Sequence, residues 1–211
     1  MDLILFGMQG SGKGTVGKAL AEKFNTEYFE TGAVLRRLAN QDSELGQKVK
    51  SIIEAGHLVS NEVVMEIVED FMKNTEENKA IIFDGIPRSV EQAKTLNALL
   101  DKYDRDYKAV LLKIVEETAL KRLTTRKICK DCKEVYPAYY KKEECEKCGG
   151  ELFTRADDNP TAIKTRLKAF KKETIPAMEI YKDKLIEIDG EPSIDEVRKI
   201  AYKTLAPIME T

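Results

Sequence analysis

Short runs rich in apolar residues alternate along this chain with longer segments in which apolar residues recur every three or four positions. Runs without strict alternation predict strands that are buried on both faces of a sheet. The intervening segments predict amphipathic helices, as after the first run, where Val16, Leu20 and Phe24 share one face. This alternation predicts an α/β fold built on a doubly wound, parallel, five-stranded sheet. The runs lie at residues 3–6, 27–29, 80–83, 109–112 and 185–188.

Capping and breaking residues set the predicted helix boundaries. Between residues 31 and 56 the pattern predicts two short helices, with Ser43 or Asp42 as the cap of the second and Gly56 at its end. The helix that begins near residue 117 is predicted to carry Arg122 and Arg126, four residues apart, on one face. Other helices are predicted to begin near residues 60, 90, 159 and 193.

A glycine-rich turn at residues 7–15, with the sequence GMQGSGKGT, joins the first predicted strand to the first predicted helix. Glycines allow the backbone to curl so that successive N–H groups face one anion, and the helix N-terminus adds partial positive charge. Lys13 supplies a mobile full charge that can follow a β- or γ-phosphate. Gly14 stands where a hydroxyl residue usually follows the lysine, and Thr15 comes next. We predict a phosphate-binding loop (P-loop); the alternative is a strand–helix turn that holds no ligand.

Four cysteines form two Cys-x-x-Cys pairs, Cys129 with Cys132 and Cys145 with Cys148. Two such pairs present four thiolates to one ion, and zinc takes this closed tetrahedral shell in structural sites. The surrounding residues, 129–155, are rich in charge and tyrosine, so we predict an inserted minidomain that zinc stabilises. Four unrelated thiols or a redox pair are the alternatives.

Composition and charge narrow the class of protein. The 211 residues are 42% hydrophobic and 34% charged, which is typical of a globular protein and not of a disordered chain. A formal net charge of −2 gives no general attraction to nucleic acid or to an anionic membrane. No apolar run approaches the roughly 20 residues of a membrane span, and no export signal is visible. We therefore predict a cytoplasmic protein without a membrane or nucleic-acid partner.

Arginines near the predicted element ends and in the insert are candidates for phosphate binding. For any one of them taken alone, a solvated surface role is the favoured interpretation. The one histidine, His57, is predicted to lie on the surface and not at a metal. The sequence shows no Ser-His-Asp or Cys-His nucleophile system, which fits phosphoryl transfer, because positioning and charge neutralisation supply most of that catalysis. The arginines are Arg36, Arg88, Arg122, Arg126, Arg155 and Arg166.

Several motifs in order make the chain resemble the adenylate kinases, in the long-lid form that has a zinc-binding lid. They are residues 7–15, Thr31-Gly32 with Leu35-Arg36, Gly46, residues 55–59, residues 84–88 with Gln92, the cysteine pairs, residues 154–159, and Arg166. The resemblance covers nearly the whole chain. It implies a P-loop NTPase-like core at residues 1–29, 60–125 and 160–211, a helical domain that binds the nucleoside monophosphate (NMP) at 30–59, and a zinc-ribbon lid at 126–159.

The resemblance also implies reversible transfer of the γ-phosphoryl group of MgATP to AMP, giving two ADP. ATP would contact Gly10, Ser11, Gly12, Lys13, Gly14, Thr15, Arg122, Arg126, Val135, Tyr136 and Pro192. AMP would contact Thr31, Arg36, His57, Leu58, Val59, Gly85, Ile86, Pro87, Arg88, Gln92, Arg155 and Arg166. The catalytic residues would be Lys13, Arg88, Arg126, Arg155 and Arg166. Asp84 would hold Mg²⁺ through water, and Cys129, Cys132, Cys145 and Cys148 would bind structural Zn²⁺.

The chain departs from the usual pattern of this family in three places. Residues 30–33 read Glu-Thr-Gly-Ala where Ser-Thr-Gly-Asp is usual, Ile86 replaces the usual phenylalanine, and Gln9 replaces the usual proline. Selectivity for AMP therefore stays open, and a nucleoside monophosphate kinase of broad or pyrimidine preference is the alternative enzyme. The alternatives of another class are a nucleotide-binding switch and a zinc-ribbon nucleic-acid-binding protein, although glutamates among the lysines of the insert oppose a phosphate-binding stripe. The sequence makes no prediction of oligomeric state.

Overall fold

The computed structural model of the chain describes residues 1–76 and 78–210. Its strands are β1 (Asp2–Phe6), β2 (Glu27–Glu30), β3 (Ile81–Asp84), β4 (Tyr107–Lys113), β5 (Lys127–Cys129), β6 (Val135–Tyr136), β7 (Leu152–Phe153) and β8 (Leu185–Asp189). Within the described residues, five of these strands pair in parallel in the order β2-β3-β1-β4-β8. The parallel five-stranded sheet that the apolar runs predicted is confirmed.

Helices connect the strands at the predicted places. They are α1 (Lys13–Phe24), α2 (Thr31–Ala39), α3 (Glu44–Glu54), α4 (Asn61–Lys73), α5 (Val90–Lys102), α6 (Glu116–Thr125), α7 (Pro160–Ala169), α8 (Ile175–Glu179) and α9 (Ile194–Met209). Of the two predicted caps of α3, Ser43 is the one used, since its hydroxyl accepts a hydrogen bond from the amide of Gly46 at 3.0 Å. A π-helical turn at Phe170–Thr174 joins α7 to α8, which extends the long helix predicted from residue 159. Across residues 1–76 and 78–210, no helix combines the length and the apolar character needed to cross a lipid bilayer.

Both faces of the sheet are buried, which explains the continuous apolar runs. Along β1, Leu3 and Leu5 face a core layer that α1 and α9 complete, whereas Ile4 and Phe6 face a second layer that α4 and α5 complete. All four side chains are at most 2% exposed. Burying one such side chain contributes about 1.5–3 kcal/mol, so these layers hold the sheet firmly beneath the loops at its C-terminal edge.

The prediction that Arg122 and Arg126 share one helix face is wrong. Helix α6 ends at Thr125, and Arg126 has the extended backbone angles φ −71° and ψ 144°. The Arg126 side chain instead forms an ion pair with Asp158, which is 32 residues away. A long-range contact of this kind cannot be read from local spacing.

The described residues between α6 and α7 form a small antiparallel sheet in the strand order β6-β5-β7. Cys129, Cys145 and Tyr136 are its buried centre, with Tyr140 and Leu152 packed against them. So few apolar residues supply little burial energy, because small units lack an adequate hydrophobic core. A metal bound by the cysteines would therefore contribute a large part of the stability of this segment.

Candidate active site

A large cavity opens at the C-terminal edge of the sheet, between the loops that follow β1 and β3 and the inserted segment. Its volume of about 960 Å³ lies at the upper end of the range for small-molecule sites. The neighbouring parallel strands β1 and β3 both end at it. In open α/β sheets, ligands bind at this edge, where the strand order reverses direction.

The P-loop curls as the glycine pattern predicted. Gly10 and Gly12 have φ values of +85° and +94°, a left-handed conformation that only glycine adopts at little cost. Helix α1 begins immediately afterwards, so its free N-terminal amides and the positive end of its dipole lie at the cavity. The hydroxyl of Ser11 is buried and has no hydrogen-bond partner in the described part of the chain. These groups make an anion site at the mouth of the sheet.

The ammonium group of Lys13 lies against the P-loop, where its Nζ donates to the carbonyl oxygens of Gly7 at 2.6 Å and of Met8 at 3.2 Å. Neither partner carries a formal charge. Burial lowers the pKa of Lys13 to about 8, while Asp84 opposes the shift and Arg88 adds to it. An incoming phosphate would supply the negative charge that this ammonium group lacks.

Asp84, the last residue of β3, is a buried carboxylate on the cavity wall, only 6% exposed. The hydroxyl of Tyr28 donates to its Oδ2 at 2.7 Å, and the hydroxyl of Thr31 donates to its backbone oxygen at 3.2 Å. Burial raises the pKa of Asp84, whereas Lys13 and the hydrogen bond from Tyr28 lower it. The carboxylate therefore lies between the P-loop and the start of α2, where it can hold a hydrated cation beside bound phosphates.

Two arginines line the part of the cavity next to α2. The Nη2 of Arg36 donates to Oε1 of Glu30 at 2.9 Å, and the Nε of Arg88 donates to the carbonyl of Gly85 at 2.7 Å. Gln92 is buried, and its Oε1 accepts the backbone amide of Arg88 at 2.7 Å. These contacts place two guanidinium groups on the wall of one space.

Two further arginines are held by aspartates on the side of the inserted segment. The Nε and Nη2 of Arg126 donate to the two oxygens of Asp158 at 2.5 and 2.8 Å. The Nη1 of Arg166 donates to Asp157 at 2.7 Å, and its Nη2 donates to Asp158 at 2.9 Å. Because the Asp158 side chain is fully enclosed, these contacts form a buried, charge-assisted cluster that fixes both guanidinium groups.

Positive charge on the cavity wall exceeds the carboxylate charge that faces it. Arg88 and Arg155, in contrast to Arg126 and Arg166, form no ion pair within the described residues. Burial lowers the pKa of Arg155 to about 10, and the nearby Arg36 and Arg126 add to that shift. Burial likewise lowers the pKa of Arg88. Crowded guanidinium groups are stabilised by an anion, so the cavity is suited to a ligand with several phosphates.

Arg122 supports the loop that follows β8. Its Nη1 donates to the carbonyl of Gly190 at 2.9 Å, and its Nη2 donates to the carbonyls of Glu191 at 3.0 Å and Pro192 at 3.3 Å. Arg122 and Pro192 both line the cavity. The flat guanidinium held in this way offers a surface on which a planar ring can stack.

The four cysteines lie together, with all four Sγ atoms within 4.8 Å of one another. The Sγ atoms of Cys129 and Cys148 are 3.4 Å apart, and those of Cys132 and Cys145 are 3.5 Å apart. All four are free thiols. A tetrahedral zinc site with bonds of about 2.3 Å has sulfur–sulfur edges of about 3.8 Å, so this set of donors fits Zn²⁺.

The cavity brings together most of the residues predicted to bind nucleotides. Ile86 and Pro87 are exceptions, because both are buried behind the wall, and Ile86 packs in the core layer next to α4 and α5. His57 is exposed, as predicted, and lies at the edge of the cavity. The predicted ATP residues that line it are Gly10, Ser11, Gly12, Lys13, Gly14, Thr15, Arg122, Arg126, Val135, Tyr136 and Pro192. The predicted AMP residues that line it are Thr31, Arg36, His57, Leu58, Val59, Gly85, Arg88, Gln92, Arg155 and Arg166.

Sequence reasoning missed the side chains that hold these groups in place. Asp157 and Asp158 belong to a motif that marks the resemblance, yet nothing in the sequence assigns them arginine partners. Tyr28 contacts Asp84 across 56 residues of chain, and a tyrosine in a predicted strand gives no signal of that contact. Such partners become visible only when the sheet order is known.

Known proteins match the chain over nearly its full length. The sequence model of the family described as adenylate kinase matches residues 5–186. The chain is 37% identical to the adenylate kinase of Borreliella burgdorferi, over 97% of this chain and 98% of that protein. It is 37% identical to the adenylate kinase of Methanocella arvoryzae, over 98% and 100% of the two proteins. With the adenylate kinase of Archaeoglobus fulgidus the identity is 36%, over 100% of this chain and 98% of that protein.

Proposed function

The chain belongs to the adenylate kinase family, and we propose that it transfers the γ-phosphoryl group of MgATP reversibly to AMP, giving two ADP. It is a phosphotransferase, and the reaction maintains the balance between adenine nucleotides. The observation that carries the proposal is the shared cavity. One side holds the P-loop, and the other side holds a second set of phosphate-binding groups, Arg36 and Arg88.

We assign the phosphates of ATP to the P-loop. The N-terminal amides of α1, the ammonium group of Lys13 and the unpartnered hydroxyl of Ser11 lie on that side of the cavity. The adenine of ATP would stack on the Arg122 guanidinium beside Pro192. Residues 135–136 of the inserted segment line the same cavity and would cover the nucleotide.

We assign AMP to the space next to α2. Arg36 and Arg88 would bind its phosphate, and Gln92 would contact its base, as the resemblance implies. Arg36 is already paired with Glu30, so the acceptor phosphate must share this arginine with a carboxylate or displace it. We therefore expect Glu30 to affect acceptor binding.

Catalysis would follow from charge compensation and from the exclusion of water. In phosphoryl transfer the negative charge is spread over three oxygens of the transferring group. The cations on the cavity wall would offset this charge, and two of them are already fixed by aspartates, so little reorganisation is needed as the charge develops. Water beside the donor would compete with AMP, so closure of the inserted segment must precede transfer. The residues assigned to this step are Lys13, Arg88, Arg126, Arg155 and Arg166.

The donor atoms present fit two metals. Asp84 offers a carboxylate oxygen, which is the kind of ligand that Mg²⁺ prefers, and it would hold the hydrated ion through water. Bound Mg²⁺ neutralises phosphate charge and orients the β- and γ-phosphates. The four cysteine sulfurs would hold Zn²⁺ in a purely structural site, because four protein ligands leave no open position for water.

We propose the division into parts that the resemblance implies: a core at residues 1–29, 60–125 and 160–211, an NMP-binding domain at 30–59, and a lid at 126–159. The antiparallel sheet of the inserted segment supports the lid as a separate unit. The pairing of α2 with α3 supports the NMP-binding domain in the same way.

An acceptor panel tests the function. Purified protein is supplied with MgATP and with AMP, GMP, CMP or UMP in turn, and the nucleoside diphosphates are separated and quantified. We expect turnover with AMP to exceed that with each other acceptor. Comparable turnover with all four would favour a broad nucleoside monophosphate kinase, the alternative that Glu30 and Ala33 suggest. No transfer to any acceptor would refute the enzyme and leave a nucleotide-binding switch or a zinc-ribbon nucleic-acid-binding protein.

The variant Lys13→Met tests the site. It removes the charge and keeps the length of the side chain, so we expect kcat to fall by about 10³-fold with the circular dichroism spectrum unchanged. Lys203→Met is the control, because Lys203 is exposed on α9 outside the cavity lining. A folded Lys13→Met protein with undiminished ADP formation would refute the assignment.

We also propose that the enzyme works in the cytoplasm without a nucleic-acid or membrane partner. The four cysteines are free thiols, which suits a reducing compartment. The formal net charge of −2 offers no general attraction to polyanions.

A further inference from the structure

Tyr28 contacts the carboxylate of Asp84 from behind the cavity wall. It lies in β2, which pairs with β3, and its hydroxyl donates to Oδ2 of Asp84 at 2.7 Å. This length is typical of a well-formed O–H···O hydrogen bond. Among the described residues, no group donates a hydrogen bond to the other oxygen, Oδ1. Asp84 therefore has one oxygen engaged by protein and one oxygen free for a ligand.

Gly17 of α1 makes room for the Tyr28 side chain, and Gly14 of the same helix lies beside the Tyr28 hydroxyl. A Cβ atom at Gly17 would lie 2.6 Å from Cε2 of Tyr28, so a larger residue would displace the ring. A Cβ atom at Gly14 would lie 3.7 Å from both the Tyr28 hydroxyl and Oδ2 of Asp84. The phenol is thus confined between the helix of the P-loop and strand β3.

A carboxylate at the end of an aspartate side chain rotates over a broad range unless a partner fixes it. We propose that Tyr28 is a positioning residue for the hydrated divalent cation. Its hydroxyl holds Oδ2 of Asp84, so that Oδ1 stays directed to the water molecules bound to the metal. The inference rests on the proposed function, because the cation is the Mg²⁺ that accompanies ATP.

The hydroxyl and the ring of Tyr28 have separable roles. The ring packs against the core layer that α1 and α9 complete, and any residue that removed it would disturb that packing. Tyr28→Phe keeps the ring and removes only the hydrogen bond to Asp84. Tyr103→Phe is the matched control, because the Tyr103 hydroxyl also donates to a carboxylate, that of Glu69 at 3.2 Å, outside the cavity lining.

The test measures binding of Mg²⁺ separately from turnover. Calorimetry gives the affinity for a non-hydrolysable ATP analogue in saturating Mg²⁺ and in EDTA, and the ratio of the two affinities is the gain that Mg²⁺ provides. In Tyr28→Phe we expect this ratio to fall about tenfold, the size of one lost charge-assisted hydrogen bond. The free Mg²⁺ concentration for half-maximal rate should rise by a similar factor, while KM for AMP changes less than about twofold. Tyr103→Phe should match the wild type in every measurement.

A double variant decides whether Tyr28 acts through Asp84. In an Asp84→Asn background, we expect Tyr28→Phe to cause no further loss of the Mg²⁺ gain. The proposal is overturned if Tyr28→Phe keeps the full Mg²⁺ gain, even with a lower thermal midpoint, because the hydroxyl would then be merely structural. It is also overturned if affinity falls equally with and without Mg²⁺. Wild-type protein that transferred no phosphoryl group would refute the proposed function instead, so the two failures are distinguishable.

Discussion

The carboxylate of Asp158 orients Arg126 and Arg166, two of the arginines assigned to catalysis. The variant Asp158→Asn tests how far catalysis depends on that carboxylate. Its two oxygens accept three hydrogen bonds, two from Arg126 and one from Arg166, and its side chain is fully enclosed. Asparagine keeps the shape and one acceptor oxygen but removes the charge. Both guanidinium groups would then lose the counter-ion that they share.

The expected size of the effect follows from this burial. Removing one partner of a buried ion pair costs about 3–5 kcal/mol, and the remaining acceptor oxygen of asparagine argues for about 3 kcal/mol. In a domain of this size, that loss lowers the midpoint of thermal unfolding by about 6–12 °C. Since Arg126 and Arg166 also lose their fixed orientation, we expect kcat to fall by about 10²-fold at a temperature where the variant is folded.

Two assays separate stability from catalysis. Denaturant unfolding gives the free energy of unfolding, and turnover with MgATP and AMP is measured well below the unfolding midpoint of the variant. Asp195→Asn is the control, because Asp195 lies 3.7 Å from Arg198 in a surface pair and its side chain is 83% exposed. The control should change stability by less than about 0.5 kcal/mol. An Asp158→Asn protein with wild-type stability and kcat would show that the cluster does not hold the arginines.

Three further predictions concern the lysine, the metal and the acceptor site. Because the pKa of Lys13 is lowered to about 8 from 10.5, the unfolded chain binds more protons between these pH values, so this residue makes stability rise with pH there. Bound phosphate restores the ammonium form of Lys13, so affinity for the donor nucleotide should fall as pH rises above about 8. Calorimetry in buffers of different ionisation enthalpy should detect proton uptake on binding; nucleotide binding without proton uptake would contradict the prediction. Removal of zinc should lower the unfolding midpoint of the inserted segment, while single-turnover rates at low temperature stay within a few-fold; a large loss of rate with the segment still folded would count against a structural role. Glu30→Ser should tighten AMP binding about threefold at low salt and less at high salt, because it removes a negative charge paired with Arg36. Unchanged affinity for AMP would show that Glu30 does not compete with the acceptor phosphate for Arg36.

The parts of the fold that depend on local pattern could be predicted from the sequence. The apolar runs gave the strands, the glycines gave the P-loop, and the spacing of the cysteines gave their cluster, because each of these signals lies within a few neighbouring residues. Contacts between distant parts of the chain could not be predicted. Arg126 lies beyond the end of α6 and pairs with Asp158. Tyr28 contacts Asp84 because β2 and β3 are neighbours in the sheet.

Ile86, which replaces the phenylalanine usual in this family, shows that an unusual residue in a ligand-binding motif need not face the ligand. An unusual residue within a ligand-binding motif suggests altered selectivity, yet Ile86 is 1% exposed and its side chain belongs to the hydrophobic core. Glu30, by contrast, lines the cavity and pairs with an assigned phosphate ligand. Of these two departures, Glu30 is the one whose side chain is placed to alter acceptor binding.

The distribution of counter-ions explains why nucleotide binding and closure would be coupled. Arg126 and Arg166 have aspartate partners within the protein, whereas Lys13, Arg88 and Arg155 have none in the described part of the chain and come from three different segments. Burying these three cations costs desolvation first and repulsion from neighbouring arginines second, as the lowered pKa values of all three indicate. In the proposed cycle, phosphate groups would offset that cost only when the segments converge on them, so a ligand with several phosphates would bind the closed arrangement better than an open one. The paired arginines would then keep their orientation throughout the cycle, while the unpaired cations make closure depend on the ligand.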